Sequence, residues 1–483
     1  MKRLPLYLSV LAIFLLYLVT LPRGLSWDLG GADGGELAAA VYARGLVHSP
    51  GYPTYLMIAQ WVHLLPFTPF AIRLNLFSAI CAALTAYLLG SLKEQQTDSA
   101  WGAFSIIITM LFWGLHELVW SQAIITEVYA LASVFCALLL YLTPRSAETA
   151  TPQRWLLYGF VAGVGLGSHY FTLIIVIWSF LFGLQKKVLK HSGWSIVGGM
   201  IGALIFLWLP IRAGVDLQNN WGNPNSLDNF WWVVSGAAYS GRFNPIVNLN
   251  QLFALIGLIV RQASIIGVIL IVFGITKWWE EQRAWAIASV LVIGLNIWVV
   301  AAYNSADILP YLYPSLLLCA LAAGAGLTVI LQQLNPLLKN KTSTAAFLMV
   351  SALAIILIYQ TWPLTKQATT EAEQFGTTVI AAAPPNSILI TRRETQTFAV
   401  RYAAAVNERT DLVLIDIDLL NMQWYQADVL RQLELPILHL PQSPLAMIIN
   451  AVPPDRPIIS TVSQQLPGEW NTLANGLVHQ LTR

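Results

Sequence analysis

The chain has 483 residues, of which 57% are hydrophobic and 10% charged, with a mean hydropathy of +0.63; ordinary soluble domains carry about 25% charged residues. That composition excludes a soluble globule. A net charge of +2 without a basic stripe argues against nucleic acid as a partner, and Cys81, Cys136 and Cys319, each inside an apolar run, offer neither a disulfide framework nor zinc spacing.

The amino terminus joins a charged start to an apolar stretch near 5–22 without an A-x-A cleavage site, and reads as an uncleaved signal anchor. Further apolar segments follow near 74–92, 101–116, 122–142, 155–168, 170–185, 194–211, 262–276, 285–302, 315–334 and 345–362, so the chain is expected to be an α-helical polytopic membrane protein with about 11 transmembrane helices. Lys93, Arg145, Arg154, Lys186, Lys187, Lys190, Lys277, Arg283, Lys339 and Lys341 fall in alternate loops, which are therefore inner. Residues 23–73, 212–250, 303–314 and everything after about 363 are then outward. No inverted repeat of the transporter type is evident.

The large first outer loop carries Asp33-Gly-Gly-Glu36 and His48-Ser-Pro-Gly-Tyr52-Pro53. Asp33 and Glu36 have the spacing of a capping box opening a helix. The same spacing puts both carboxylates on one helix face, where Asp33 would meet a substrate. Two glycines in the first turn weaken a helix by up to about 1 kcal/mol each relative to alanine, which points to a need for close access. His48 is either a hydrogen-bonded loop residue or a chemical participant.

In the fourth span, Glu127 is expected about two turns inside the outer end, where a charge costs about 2.5–3.5 kcal/mol, so it faces a polar cavity or a structural partner such as His169. At the outer end of the seventh span Arg212 either snorkels or clamps a phosphate. The loop that follows, with Trp221, Asn223, Tyr239 and Arg242, combines rings and amides that suit a sugar, although such rings also populate the membrane interface. Asp307 sits in a second acid-plus-aromatic stretch, Tyr303 to Tyr313.

Residues 363–483 change character. Short apolar runs at 387–391, 412–416, 436–440 and 457–460, between helical stretches at 394–406 and 421–434, predict a small α/β domain with a parallel sheet. It lacks a Gly-rich turn, so no phosphate cradle is expected. Asp416 and Asp418 share one face near a strand end, a solvated terminus rather than a metal pair.

The segment Gly-Gly-Ala-Asp33-Gly-Gly-Glu36-Leu followed by His48-Ser-Pro-Gly-Tyr-Pro53, with Trp120-Ser-Gln through Glu127-Val-Tyr129 and Leu209-Pro-Ile-Arg212 leading to Trp221-Gly-Asn-Pro224, resembles the protein O-mannosyltransferase-like polytopic glycosyltransferases of the GT-C superfamily, which use polyprenyl-phosphate-linked sugars. The likeness covers most of 20–315 and reaches Ile388–Thr391, Thr397-Phe398 and Trp424-Tyr425. Ser49 stands where the family commonly has proline, and Arg392-Arg393-Glu394 replaces a usually acidic turn. The resemblance implies an acidic catalytic residue in the first outer loop, at Asp33.

The expectation is thus a GT-C-like membrane domain over 1–362 and an extracytoplasmic α/β domain over 363–483, in a multi-pass protein of the cell membrane. It would transfer a monosaccharide, with inversion, from a polyprenyl-phosphate donor to a hydroxyl of a protein Ser/Thr or glycan. Asp33 is the general base and Glu36 its companion. His48, Tyr52, Glu127, His169, Arg212, Trp221, Asn223, Tyr239, Arg242 and Asp307 bind substrates, with Arg212 foremost at the leaving phosphate. Membrane lipid, the lipid-linked sugar and the acceptor are the partners; no nucleotide or metal is required. The rival reading is a transporter or flippase for lipid-linked saccharides, and a third is an inactive assembly protein.

Overall fold

The structure is a computed structural model that describes every residue except 1, 2, 97–100, 216–219, 306, 339, 340, 367, 436–444, 464, 465, 467, 474, 475 and 483. Each apolar segment named above is helical. Among the described residues six helices are long and apolar enough to cross a membrane: Phe70–Gln96, Gly193–Ala213, Leu249–Glu281, Arg283–Ala302, Leu309–Leu338 and Thr342–Thr365. A seventh results if Gly102–Gly114 and Glu117–Ala123, bent by 64°, count as one span; Leu4–Thr20, Tyr129–Leu142 and Thr172–Lys186 are shorter apolar helices. The chain is a multi-pass membrane protein. The expected fourth span begins later than its apolar run, because the chain breaks between Ala123 and Tyr129. Glu127 therefore lies in a turn between helices.

Small residues let these helices approach closely, as expected where lipid provides no hydrophobic drive for association. Pro152–Leu166 and Gly193–Ala203 meet through Gly159, Gly163, Gly198 and Gly202; a Cβ at Gly163 would stand 2.3 Å from the Gly199 carbonyl oxygen and one at Gly202 2.3 Å from that of Phe160.

The segments assigned to one side by the charge bias converge at one end of the bundle. Leu46 bridges to Asn220, Phe243 to Tyr303, and Asp28 accepts hydrogen bonds from the backbone and side chain of Thr369. Arg3 pairs with Glu94 and Lys277 with Glu281 elsewhere, on the loops assigned to the opposite side.

The carboxyl-terminal part contains a five-stranded sheet of β1 (Ile388–Thr391), β2 (Val413–Asp416), β3 (Ile458–Ser460), β4 (Glu469–Leu473) and β5 (Val478–Thr482) in the order β2-β1-β3-β5-β4. The parallel sheet expected from the sequence holds for β2, β1 and β3, but β5 runs antiparallel to both β3 and β4, so the sheet is mixed. The hairpin escaped notice because β4 is largely solvated and carries no buried apolar run. The strand expected at 436–440 lies outside the described residues. Asp416 is also corrected: it is fully buried, its carboxylate accepting from the Thr397 hydroxyl (2.5 Å) and the Asp418 amide (2.9 Å). Burial raises its pKa, partly offset by the Thr397 bond.

The helix Glu394–Val406 docks this part onto the first-loop helix Gly34–Ala43. At the crossing a Cβ on Gly35 would lie 2.6 Å from the carbonyl carbon of Phe398, 2.7 Å from its oxygen and 2.9 Å from the Ala399 nitrogen. The close access foreseen at these glycines thus serves a neighbouring helix backbone. Around it, Trp27 Nε1 donates to the Thr395 carbonyl (3.1 Å), Leu25 N–H to Glu373 (2.7 Å) and Ala71 N–H to the Tyr402 hydroxyl (3.0 Å). Since backbone cannot rotate away, Gly35→Ala should destabilise by about 1–3 kcal/mol, the usual cost of overpacking. It should also lower the thermal unfolding midpoint and speed proteolysis within 371–483. Unchanged values for both would show that the two helices are not in this contact.

Candidate active site

The first-loop helix starts without the expected capping box. Asp33 occupies the N-cap position with helical backbone angles (φ −81°, ψ −13°) and makes no side-chain cap bond. Both carboxylates are therefore available for other partners. The helix ends at Arg44 in the left-handed region (φ 56°), and the chain turns back so that His48 returns over the helix start. Gly51 (φ 88°) and Tyr52 (φ 39°) then lead into the helix Pro53–Ala59, with proline at its first turn. Ser49, buried, donates to the Val233 carbonyl and ties this turn to a later loop.

The Glu36 side chain is wholly buried. It accepts from His48 Nδ1 at 2.6 Å, and the His48 backbone N–H points at both its oxygens at 3.2 Å. The other ring nitrogen, Nε2, lies 3.6 Å from Asp33 Oδ2, an ion-pair separation longer than a hydrogen bond. The side chain of Asp33 keeps 23% of its surface exposed and is the open end of this chain of charges. Burial alone would lower the His48 pKa, but the carboxylates of Asp33 and Glu36 outweigh it and hold the imidazole up at about 10. Asp33 is raised, first by burial and then by Glu36 and Asp307, against the pull of His48 and Arg242.

Aromatic rings surround this chain of charges. His48 meets Tyr52 edge-on (5.4 Å) and Tyr239 (6.3 Å); Tyr52 stacks on His169 (6.0 Å), which Tyr311 contacts edge-on (4.6 Å). Arg242 lies over the Tyr239 ring at 4.7 Å and donates to the Ser305 hydroxyl (3.3 Å), which in turn donates to Asp307. Glu127 is buried beneath, accepting from the Val128 N–H at 3.3 Å. No ion pair joins it to His169 among the described residues; His169 Nδ1 accepts from the Phe171 N–H instead.

Three expected site residues are not brought here. Arg212 turns its Nε and Nη2 onto the carbonyl oxygen of Arg44 (3.1 and 2.8 Å), satisfying the end of the first-loop helix, and the guanidinium that bears on Asp33, beside the His48 imidazole, is that of Arg242. Trp221 is buried between Trp232 (5.4 Å) and Trp424 (5.2 Å), a core residue joining the loop to the carboxyl-terminal part. Asn223, at φ 41°, accepts from Asn220 and Asn229 within its own turn. Conversely, Tyr311 and Glu394 were not foreseen. Tyr311 lay within the acid-plus-aromatic stretch, and Glu394 within the Arg392-Arg393-Glu394 turn, where it starts a helix. Among the described residues, no group of three or more His, Cys, Asp or Glu side chains is placed to hold a metal ion.

Residues 33–192, which include the whole first-loop chain of charges, match the family model described as protein O-mannosyl-transferase TMEM260 N-terminal domain. The likeness expected from the sequence holds. The mouse protein O-mannosyl-transferase TMEM260 is 25% identical over 469 residues, covering 90% of this chain and 65% of that protein; the Dictyostelium discoideum relative of the same name is 20% identical over 227 residues, covering 42% and 27%. This chain thus spans less than two thirds of the length of these relatives. Two crystal structures of ArnT from Cupriavidus metallidurans share the fold. The apo form has a TM-score of 0.62 and the form bound to undecaprenyl phosphate 0.59, each at 12% identity over 98% of this chain and 97% of the other.

A raised histidine pKa stabilises the folded state fully below the unfolded value, about 6.5, and the stabilisation is lost as pH rises toward about 10. The unfolding midpoint of the detergent-solubilised chain should therefore fall across that window, and His48→Gln should flatten the fall. Parallel pH curves for the two proteins would contradict a charged His48.

Proposed function

We propose that the chain is a membrane glycosyltransferase that moves a monosaccharide from a polyprenyl-phosphate donor to a hydroxyl acceptor, protein Ser/Thr or glycan, on the extracytoplasmic face of the cell membrane. The observation that carries this reading is the Glu36–His48–Asp33 chain, which leaves one carboxylate partly exposed among aromatic side chains at one end of the bundle. Names of the relatives support O-mannosyl transfer, and the ArnT complex with undecaprenyl phosphate supports a lipid-phosphate donor. The six long helices, the bent pair and the three shorter apolar helices would make ten crossings, and Pro152–Leu166 would bring them to about eleven, with residues 1–362 forming a GT-C-like membrane domain and 363–483 an outward domain.

In the proposed displacement Asp33 takes the proton of the acceptor hydroxyl as its oxygen attacks the anomeric carbon from the face opposite the phosphate, so the configuration inverts. His48, charged by its contact with Glu36, keeps Asp33 anionic and oriented. The departing lipid phosphate gains negative charge, which Arg242 would meet; no nucleotide or metal enters this reading. Tyr52 and Tyr239 wall the sugar, and the lipid tail stays in the bilayer.

The flippase alternative needs a polar route through the bundle, whereas the charges that interact with Asp33 gather at one end. Reconstitution into liposomes with a polyprenyl-phosphate mannose donor and a Ser/Thr-rich peptide tests the choice. Sugar transfer without donor translocation is expected; translocation without transfer would replace the transferase with a carrier. In the same assay Arg242→Ala should raise the donor KM about 10- to 100-fold, the loss of a charged hydrogen bond, with partial recovery in Arg242→Lys. A donor KM unmoved by both would remove the guanidinium from the phosphate site.

A further inference from the structure

We propose that Glu394, carried by the carboxyl-terminal part, is the acceptor-binding residue of the site, holding the incoming hydroxyl compound beside Asp33. This rests on the transferase reading above. Several contacts fix where Glu394 stands. It is the first residue of the helix Glu394–Val406, whose next residue takes the Trp27 indole N–H on its carbonyl and whose Phe398 backbone lies against Gly35 in the first turn of the first-loop helix. Helix Glu371–Ala382 supports it from behind, where a Cβ on Gly376 would come 2.3 Å from the Ala399 carbonyl oxygen. The start of the docking helix is thereby held beside the start of the first-loop helix.

The electrostatics follow from this placement. The Glu394 carboxyl is raised, first by partial loss of water and then by the neighbouring Asp33 and Glu36 carboxylates, while His48 and Arg242 pull it down. Tyr239 feels Glu394 ahead of Glu36, Asp33 and Arg242. Yet Glu394 sits on the exposed rim and makes no side-chain hydrogen bond or ion pair among the described residues. A first-turn acid stabilises a helix in any protein, but that role does not require it to stand within electrostatic reach of Asp33. An acceptor carries a hydroxyl that Asp33 deprotonates and further N–H or O–H donors that need an acceptor atom; a rim carboxylate supplies one. With Asp33, Glu36, Glu394 and Asp307 outnumbering His48 and Arg242, the site favours neutral or basic acceptors over acidic ones.

The test uses the full chain in liposomes with polyprenyl-phosphate mannose and a Ser/Thr-rich peptide, comparing wild type, Glu394→Gln and Glu394→Asp. Losing the charged hydrogen bond should raise the peptide KM of Glu394→Gln about tenfold or more relative to its donor KM. The acid limb of kcat/KM should move to lower pH, since a negative neighbour of Asp33 is removed, and Glu394→Asp should recover part of the peptide affinity. A purely structural role would lower the unfolding midpoint while leaving the KM ratio and the acid limb in place, and that result overturns the proposal. Equal KM values and limbs in all three proteins overturn it as well. Should wild type transfer no sugar from this donor, to peptide or to water, the transferase reading fails first and takes this assignment with it.

Discussion

A carboxylate removed wholly from water must be met by hydrogen-bond donors or a counter-charge, and Glu36 at the start of the first-loop helix is met by both. Leaving such a charge unpaired costs several kcal/mol, more than a helix cap could return. The returning loop answers it with His48, whose ring and backbone N–H both address the same carboxylate. Once His48 is committed, its second ring nitrogen faces Asp33, and the geometry of the open carboxylate follows from the buried one. Turn residues in the left-handed region, the Ser49 bond to Val233 and the proline-started helix all serve to bring the loop back to that place.

The same helix start carries a second constraint. Gly35 lets the helix from the carboxyl-terminal part lie directly on the first turn, so the glycines that weaken the helix locally admit the element that roofs the site. Membrane bundle, first loop and mixed sheet are thereby tied at one end, with Trp27, Asp28, Glu373 and Tyr402 as the fastenings. Arg242 reaches the site because its loop pairs with the 303–305 segment, where Ser305 and Asp307 hold it.

Much of this was legible in the sequence because apolar runs are local and the side chains of one loop are near neighbours in the chain. Most of the apolar helices, the first three strands and the candidates Asp33, Glu36 and His48 were read from short windows. What the sequence left open is tertiary. Capping-box spacing is also the spacing of two carboxylates that turn elsewhere, and only the backbone angles of Asp33 separate the cases. Arg212 and Arg242 are alike as isolated guanidiniums; the carbonyl of Arg44 claims the first. Trp221 has the composition of a sugar platform and the surroundings of a core. Glu394 belongs to the site only through a helix crossing that no local pattern encodes.

The central claim is that Asp33 alone, at the open end of the charge chain, removes the acceptor proton. It is tested most directly by measuring turnover and donor affinity together for Asp33→Asn in liposomes. General base catalysis contributes about 10²- to 10⁴-fold, so kcat should fall by that factor while donor binding and the unfolding profile stay close to wild type. Near-normal turnover in Asp33→Asn would place the base elsewhere and contradict the account.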